Sequence, residues 1–551
     1  PTPLGNVKPD VVNVGAWAWV SGPVWMGAGN GSNAYDVFGG TSMAAPLTAG
    51  SAALTIQAYN KARGTKPTPE TVKVILKSTA KDLGYDAFVQ GAGRVDAFAA
   101  TSLALKKQGV TIASPITWEN VRSRIQHAWS LASAFLGYPL QGGLPSGPIN
   151  DVSWFAGTLR PGSSASADFT ITNPTSSPVT ATVKSVVHEQ VGTTTTYSGK
   201  TALINNWADW GNLTVLNIAS IPSDAELMVV TLNVPYSYFD PNWDYTWDRR
   251  FRIWVLDWID VNGNSLIERN ETYNINYGYS AGTGCEARVG FPLAKFKGKP
   301  VIWVSQANQP WMPYPDPVSF KVYTSYYRRE SWAWVTTPSI ISVNASSSST
   351  FKATLTVPSG TPQGVYEGQL IVNVTGSYRQ VLAIPVVLTV PAALLTTDLT
   401  MDIVPPTASK LYDSYRVNGY FDWRWRYEAG DWKTWAFDIQ DPTVVAAFVS
   451  CKWTGKMTDI DMVGINPGGF ITDAALSPYL GSGVFKWWTR TGAHEEYVVL
   501  DTNMIFDSML GVYTVLLHNV LFDGTTFPES VTGKVELVKL APRGPINIVT
   551  R

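Results

Sequence analysis

The sequence predicts a multidomain protein: about a hundred residues of mixed α/β character, then a long all-β remainder built from sandwich modules. Three observations carry this. At 551 residues the chain exceeds what a single hydrophobic core usually supports, so about three or four domains are expected. With 46 Gly, 36 Pro, 12% aromatic and only 15% charged residues, its composition suits short strands joined by tight turns. Apolar positions recur at helical spacing near the N-terminus and with period two beyond about residue 151.

Taken in order, Asp10-Val11-Val12 reads as a strand followed by a Gly-rich loop, then a small-residue helix from about Ser42 to Ala62 that Gly64 ends. A second helix begins at Thr68-Pro69-Glu70, where Thr can cap, Pro suits the first turn and Glu favours the positive end of the dipole. Val72, Ile75, Leu76 and Thr79 mark its apolar face. Residues 117–136, with Trp118, Val121, Ile125, Ala128, Trp129, Leu131 and Leu136, predict one more helix, and Pro139 to Pro148 reads as a linker. Ala167, Phe169 and Ile171 alternate up to a turn at Asn173-Pro174, and Val179, Ala181 and Val183 form the return strand. The pattern recurs at Phe351, Ala353, Leu355 and Val357, followed by a turn from Pro358 to Gly364 and the run Leu370, Val372, Val374.

Composition also excludes partners. Lys and Arg total 41 against 42 Asp and Glu, a formal charge of -1, so nothing recommends nucleic acid. No apolar stretch approaches the length of a membrane span, and Pro1 opens no signal peptide, so the N-terminus reads as cut. Cys285 and Cys451 are too far apart for a CxxC zinc ribbon; they form either one long-range disulfide or two buried thiols. Sequons at Asn30, Asn212, Asn270, Asn344 and Asn373 agree with an exported glycoprotein. No organic cofactor is expected.

The most specific motif is Gly39-Gly40-Thr41-Ser42-Met43-Ala44-Ala45-Pro46-Leu47-Thr48-Ala49-Gly50. A nucleophilic serine belongs at a helix N-terminus, where free backbone N–H groups and the dipole stabilise a developing oxyanion. The run resembles the nucleophile segment of subtilisin-like serine proteases. Lys8-Pro9-Asp10-Val11-Val12-Asn13-Val14-Gly15 resembles the family's KPDVxAPG stretch, with Asn13 and Val14 in place of Ala and Pro. Ser78-Thr79-Ala80-Lys81-Asp82-Leu83-Gly84 and Gln90-Gly91-Ala92-Gly93-Arg94-Val95-Asp96-Ala97 resemble the closing helices of the same domain.

The resemblance implies that residues 1–109 are the C-terminal part of an α/β subtilisin-like catalytic domain. Residues 110–150 follow as helix and linker. The β-rich stretches 151–222 and 336–394 resemble fibronectin type III-like sandwiches appended to secreted subtilases. Residues 223–335 and 395–551 are expected to be jelly-roll-like modules, and the region from Leu227 to Tyr279 is similar to accessory modules of pyrolysin-like archaeal subtilases. That likeness implies a thermostable, secreted or cell-surface enzyme.

Ser42 is the expected catalytic nucleophile, with Gly40 and Thr41 in its oxyanion loop. A serine hydroxyl needs a base, and the family order is Asp, His, Ser. No histidine precedes Ser42; His127, His188, His494 and His518 all follow it and read as ordinary strand or loop residues. Asp, His and the oxyanion Asn are therefore expected from an upstream segment, and this chain alone is expected to be inactive. The leading expectation is a subtilisin-like endopeptidase acting on polypeptides through an acyl-enzyme, with cell-surface or S-layer components as further partners. The alternative is a structural or adhesive surface protein retaining a degenerate protease end.

A second motif runs from Asp260 to Glu271. Asp260, Asn262, Asn264, Leu266 through its carbonyl, Glu268 and Glu271 match the ligand spacing of a calcium loop. Ser265 stands where such loops carry Gly, and Arg252 to Leu256 reads as a strand in place of a flanking helix. The competing interpretation is an Asn-Gly hairpin with incidental acids. Two aromatic clusters, Trp243, Tyr245, Trp247, Trp254, Trp258 and Trp423, Trp425, Tyr427, Trp432, Trp435, read as sandwich core, with sugar stacking the alternative.

Overall fold

A computed structural model of the chain describes residues 7–15, 18–21, 35–116, 149–200, 203–204, 212–215, 218–234, 249–280, 284–290, 292–308, 319–403, 432–455, 458–467, 471–475, 494–501, 510–521 and 530–540. The polypeptide divides into two compact units. One comprises residues 1–187, 330–359 and 366–388; the other comprises 188–329, 360–365 and 389–551. The helix expected at 117–136 and the linker after it lie outside the described residues.

In the first unit a short antiparallel pair, Ala18–Ser21 with Tyr35–Phe38, precedes four helices: α1 (Thr41–Arg63), α2 (Pro69–Ser78), α3 (Ala87–Gln90) and α4 (Ala97–Ala104). Their ends follow local chemistry. Gly64 closes α1 with φ 72°, donating to Asn60. Thr68 caps α2, its side chain accepting from the Thr71 N–H, and Asp96 caps α4 by accepting from Ala99. Val72, Ile75 and Leu76 of α2 join Ala58 of α1, Val95, and Ala100, Leu103 and Ala104 of α4 in one apolar cluster.

Beyond Val110 the chain forms a two-sheet sandwich. One sheet orders Val335–Thr336, Ser347–Thr356, Ser164–Asn173, Thr111–Ile116 and Ile149–Asp151. In the facing sheet Ile340–Val343 pairs the first half of Val179–Lys200, which is followed by Gly364–Thr375, Arg379–Val390 and Trp154–Thr158. Alternation decides what is buried: Phe169, Ile171, Phe351, Ala353 and Leu355 point inward from one sheet, Ala181, Val183, Leu370, Val372 and Val374 from the other. Phe169 lies directly opposite Phe351, with the rings stacked at 5.4 Å.

This pairing revises the expected modules. The stretches 151–222 and 336–394 are not separate sandwiches: Ser164–Asn173 pairs Ser347–Thr356 along its whole length, and Val179–Lys200 pairs both Ile340–Val343 and Gly364–Thr375. Residues 151–187 and the strands within 330–388 supply two halves of one core, with residues 188–329 inserted between them. Nor do the strands either side of Asn173 form a hairpin. They belong to opposite sheets, and the buried Asn173 turns the chain between them by accepting from Thr175 and donating to the Ser177 and Asn344 carbonyls.

In the second unit, Arg249–Trp258 pairs Thr272–Ser280 and Lys299–Asn308, and Leu227–Asn233 pairs Gly284–Gly290 and Ser319–Ser331. Ile253, Val255, Ile302 and Val304 pack with Met228, Val230, Leu232 and Val322 between the two sets. A further pair of sheets, four strands and five, encloses Trp435, Phe437, Val449, Leu500, Tyr513 and Val535. Cys451 is a free thiol buried in that core, so of the two sequence alternatives the Cys285–Cys451 disulfide is not formed. Burial, with a smaller effect of Glu495, pushes its thiol pKa up, which keeps it protonated and inert. Trp258 and Trp435 are buried, as expected of core aromatics; Trp243, Tyr245, Trp247, Trp423, Trp425 and Tyr427 lie outside the described residues. Among the described residues no helix is long and apolar enough to cross a membrane.

Candidate active site at the start of helix α1

Ser42 is the second residue of α1 and is exposed. Gly40 caps the helix with φ 110° and no side chain, a backbone shape that L residues rarely adopt, which explains the glycine before Thr41. Its carbonyl accepts from Met43 and its N–H donates to the Gly15 carbonyl at 2.6 Å. The first helical N–H groups, those of Thr41 and Ser42, have no acceptor among the described residues and open outward with the positive end of the dipole. Pro46 lies inside the helix and, lacking an N–H, leaves the Ser42 carbonyl without its usual helical donor. The arrangement can hold an oxyanion beside the serine hydroxyl.

The segment Lys8 to Gly15 holds this turn in place. Asn13, the departure from the family pattern, accepts from its neighbour Val14 and donates to the Thr48 hydroxyl of α1 at 3.1 Å. Val12 donates to Gly93 and accepts from Val95, and Ala92 donates to the Asp10 carbonyl. Gly91 has φ 59°, and a Cβ there would stand 2.2 Å from the Pro9 carbonyl oxygen; only glycine allows the two segments to lie this close.

Asp10 also enters an ion-pair network. Lys77 of α2, with 2% of its side chain exposed, donates to Asp10 at 3.0 Å and to both oxygens of Asp151 at 2.8 and 2.9 Å. Lys73 reaches Asp10 at 2.9 Å, and the Ser153 hydroxyl donates to Asp151 at 2.6 Å. Burial penalises the Asp10 carboxylate, yet Lys77, Lys8 and Lys73 outweigh it and hold its pKa well below the usual carboxylate range. The same contest, led by Lys77 and Lys73 against burial, lowers Asp151, and the carboxylates raise Lys73 despite its burial.

No described residue of the first unit is a histidine. His188 and His518 are buried on strands of the second unit, His494 is exposed there, and His127 lies outside the described residues. Helix α1 does not pack deep in the described fold. Met43, Ser51, Thr55 and Ala58 are buried, but Leu47, Leu54 and Ile56 are 44%, 51% and 37% exposed.

The calcium-loop residues close a hairpin between Arg249–Trp258 and Thr272–Ser280. Glu271, 1% exposed, accepts from the Val261 and Asn262 N–H groups and from the Trp258 indole. Asp260 accepts from Ser265, Asn262 from Asn264, and Asn264 from Leu266, while Glu268 accepts from the Asn262 amide. Ser265 has φ 59°, so a non-glycine residue makes the bend. Among the described residues no three His, Cys, Asp or Glu side chains converge on one point. Of the sequons, Asn270 and Asn344 are exposed. Asn373 is half-buried in a paired strand, where it accepts from Arg379, a poor position for a glycan. Asn30 and the Asn212 side chain lie outside the described residues.

No curated protein matches the chain. Solved structures of similar trace include the insecticidal delta-endotoxin Cry8Ea1 from Bacillus thuringiensis (9% identity, 66% of this chain and 53% of that one, TM-score 0.15) and the Macrobrachium rosenbergii nodavirus (11%, 63% and 91%, 0.13). The C-terminal domain of the Streptococcus agalactiae AgI/II polypeptide BspA is another (8%, 60% and 91%, 0.09). This chain spans about half of the endotoxin's length, and likenesses so weak carry no argument about fold or function. Residues 1–94, the stretch that builds the turn around Ser42, match the model of the subtilase family, and this segment of the chain is subtilase-like.

Proposed function

We propose that the chain is part of a secreted or cell-surface subtilisin-like serine endopeptidase in which Ser42 attacks the scissile carbonyl and carries the acyl group. The observation that supports this best is the placing of Ser42: exposed, second in its helix, behind a glycine cap and beside N–H groups that have no acceptor among the described residues. In this reading the Thr41 and Ser42 N–H groups share the oxyanion with an Asn from upstream polypeptide, which also brings Asp and His. The exposed Leu47, Leu54 and Ile56 of α1 form the surface on which that polypeptide packs. Substrate, surface partners and the pyrolysin-like affinity of the 227–279 region belong to the same proposal.

The test is labelling of the complete polypeptide, upstream segment included, with a fluorophosphonate. A single adduct on Ser42, lost in Ser42→Ala, is expected; an intact protein that takes no label overturns the reading.

We further propose that the 260–271 loop binds calcium. Its donors are hard oxygens, and a carboxylate or amide oxygen that accepts one N–H keeps a second lone pair for a cation. Asp260, Asn262, Asn264, the Leu266 carbonyl and Glu268 would face the ion while Glu271 clamps the loop. EDTA should lower the melting temperature and Asp260→Ala should abolish that response; a melting curve indifferent to EDTA removes the ion from the account.

A further inference from the structure

We propose that Asp151, a residue of the sandwich rather than of the protease-like end, is a positioning residue for Ser42. This rests on the nucleophile reading above.

The chain of contacts is continuous within one unit. Asp151 ends the sandwich strand Ile149–Asp151 and is fixed by the Ser153 hydroxyl. Its two oxygens hold the buried Lys77 ammonium, which also donates to Asp10. Asp10 heads the segment whose last residue, Gly15, accepts the Gly40 N–H. Gly40 is the cap on which Ser42 and its N–H groups are hung.

The physical reason is charge balance. Lys77 has lost almost all of its water and divides its charge between two carboxylates. Neutralising Asp151 leaves that charge to Asp10, and Lys73, which spans the same pair at 2.9 and 3.6 Å, follows. Asp10 is then drawn toward α2, and the 10–15 segment shifts against the Gly40 cap. A tie of the backbone alone would not do this, because the sandwich has other anchors on the protease-like end that bypass Asp10. Gln380 bridges Ser78 and Val110, and Glu367 accepts from Ala87. Those anchors hold the two parts together when Asp151 is changed, so its effect is confined to the turn.

The experiment uses Asp151→Asn, which keeps the shape and one accepting oxygen but removes the charge, with Asp151→Glu as the conservative variant. Amide exchange in the full chain should quicken about tenfold at the hydrogen-bonded Gly40 and Met43 amides, in keeping with loss of one charge-assisted tie, while Phe169, Ile171 and Phe351 stay protected. In the complete polypeptide, phosphonylation of Ser42 by a fluorophosphonate, with fluoride leaving, should slow about tenfold or more, with partial recovery in Asp151→Glu. Unchanged exchange at Gly40, or an increase spread equally over the sandwich strands, overturns the proposal. A wild-type protein that is never phosphonylated defeats the nucleophile reading instead, and the exchange result still decides whether Asp151 controls the turn.

Discussion

A lysine stripped of water keeps its charge only where carboxylates replace the solvent it gave up. Lys77 meets that condition through Asp10 and Asp151, and the arrangement has a consequence for acid stability. Unfolded aspartates take up protons near pH 4, whereas the folded pair resists them. The unfolded state therefore binds more protons in acid, and the contribution of the pair, complete above about pH 4, is lost as pH falls below it. Unfolding free energies measured between pH 5 and 2 should fall below about pH 4, with a slope of up to about 1.4 kcal/mol per pH unit for each carboxylate. In Asp151→Asn the acid loss should be smaller; an unaltered slope would mean that the charge is carried elsewhere.

Elements follow from local signals where those signals are chemical. Gly64 ends α1, Thr68 starts α2 and Asp96 starts α4 because each supplies a backbone shape or an acceptor that no neighbour can. Thr68→Ala should lower stability by about 1 kcal/mol, read as a shift in the denaturation midpoint with no change in slope; no shift would deny the cap its role. The strands obey period two equally well, but alternation states only that one face is covered, never by what. Ala181 and Val183 were legible as inward positions, yet their partners Ile341, Val374 and Val372 lie more than 150 residues away, and the apparent hairpin at Asn173 is a crossing between sheets.

At the scale of the whole molecule, the inserted segment 188–329 leaves and returns at neighbouring points, since Trp332 donates to the Ser185 carbonyl at 3.0 Å. Replacing it with a Gly/Ser linker of about six residues should leave the strands of 151–187 and 330–390 as a protease-resistant unit, seen by limited proteolysis and mass spectrometry. Independent folding of 151–222 by itself would contradict the single sandwich. By itself the sequence determined what short-range chemistry controls: the glycine turn and helix that present Ser42, the caps, the alternating strands and the oxygen-rich loop at 260. Tertiary structure alone decided that two distant stretches share one core, that Lys77 is held by Asp151, and that Cys451 stays a free thiol. The reason is that the cost of closing a loop grows only slowly with its length, so distant strands compete with near ones on almost equal terms. Three-dimensional complementarity of their buried faces then selects the partner, and no local pattern records it.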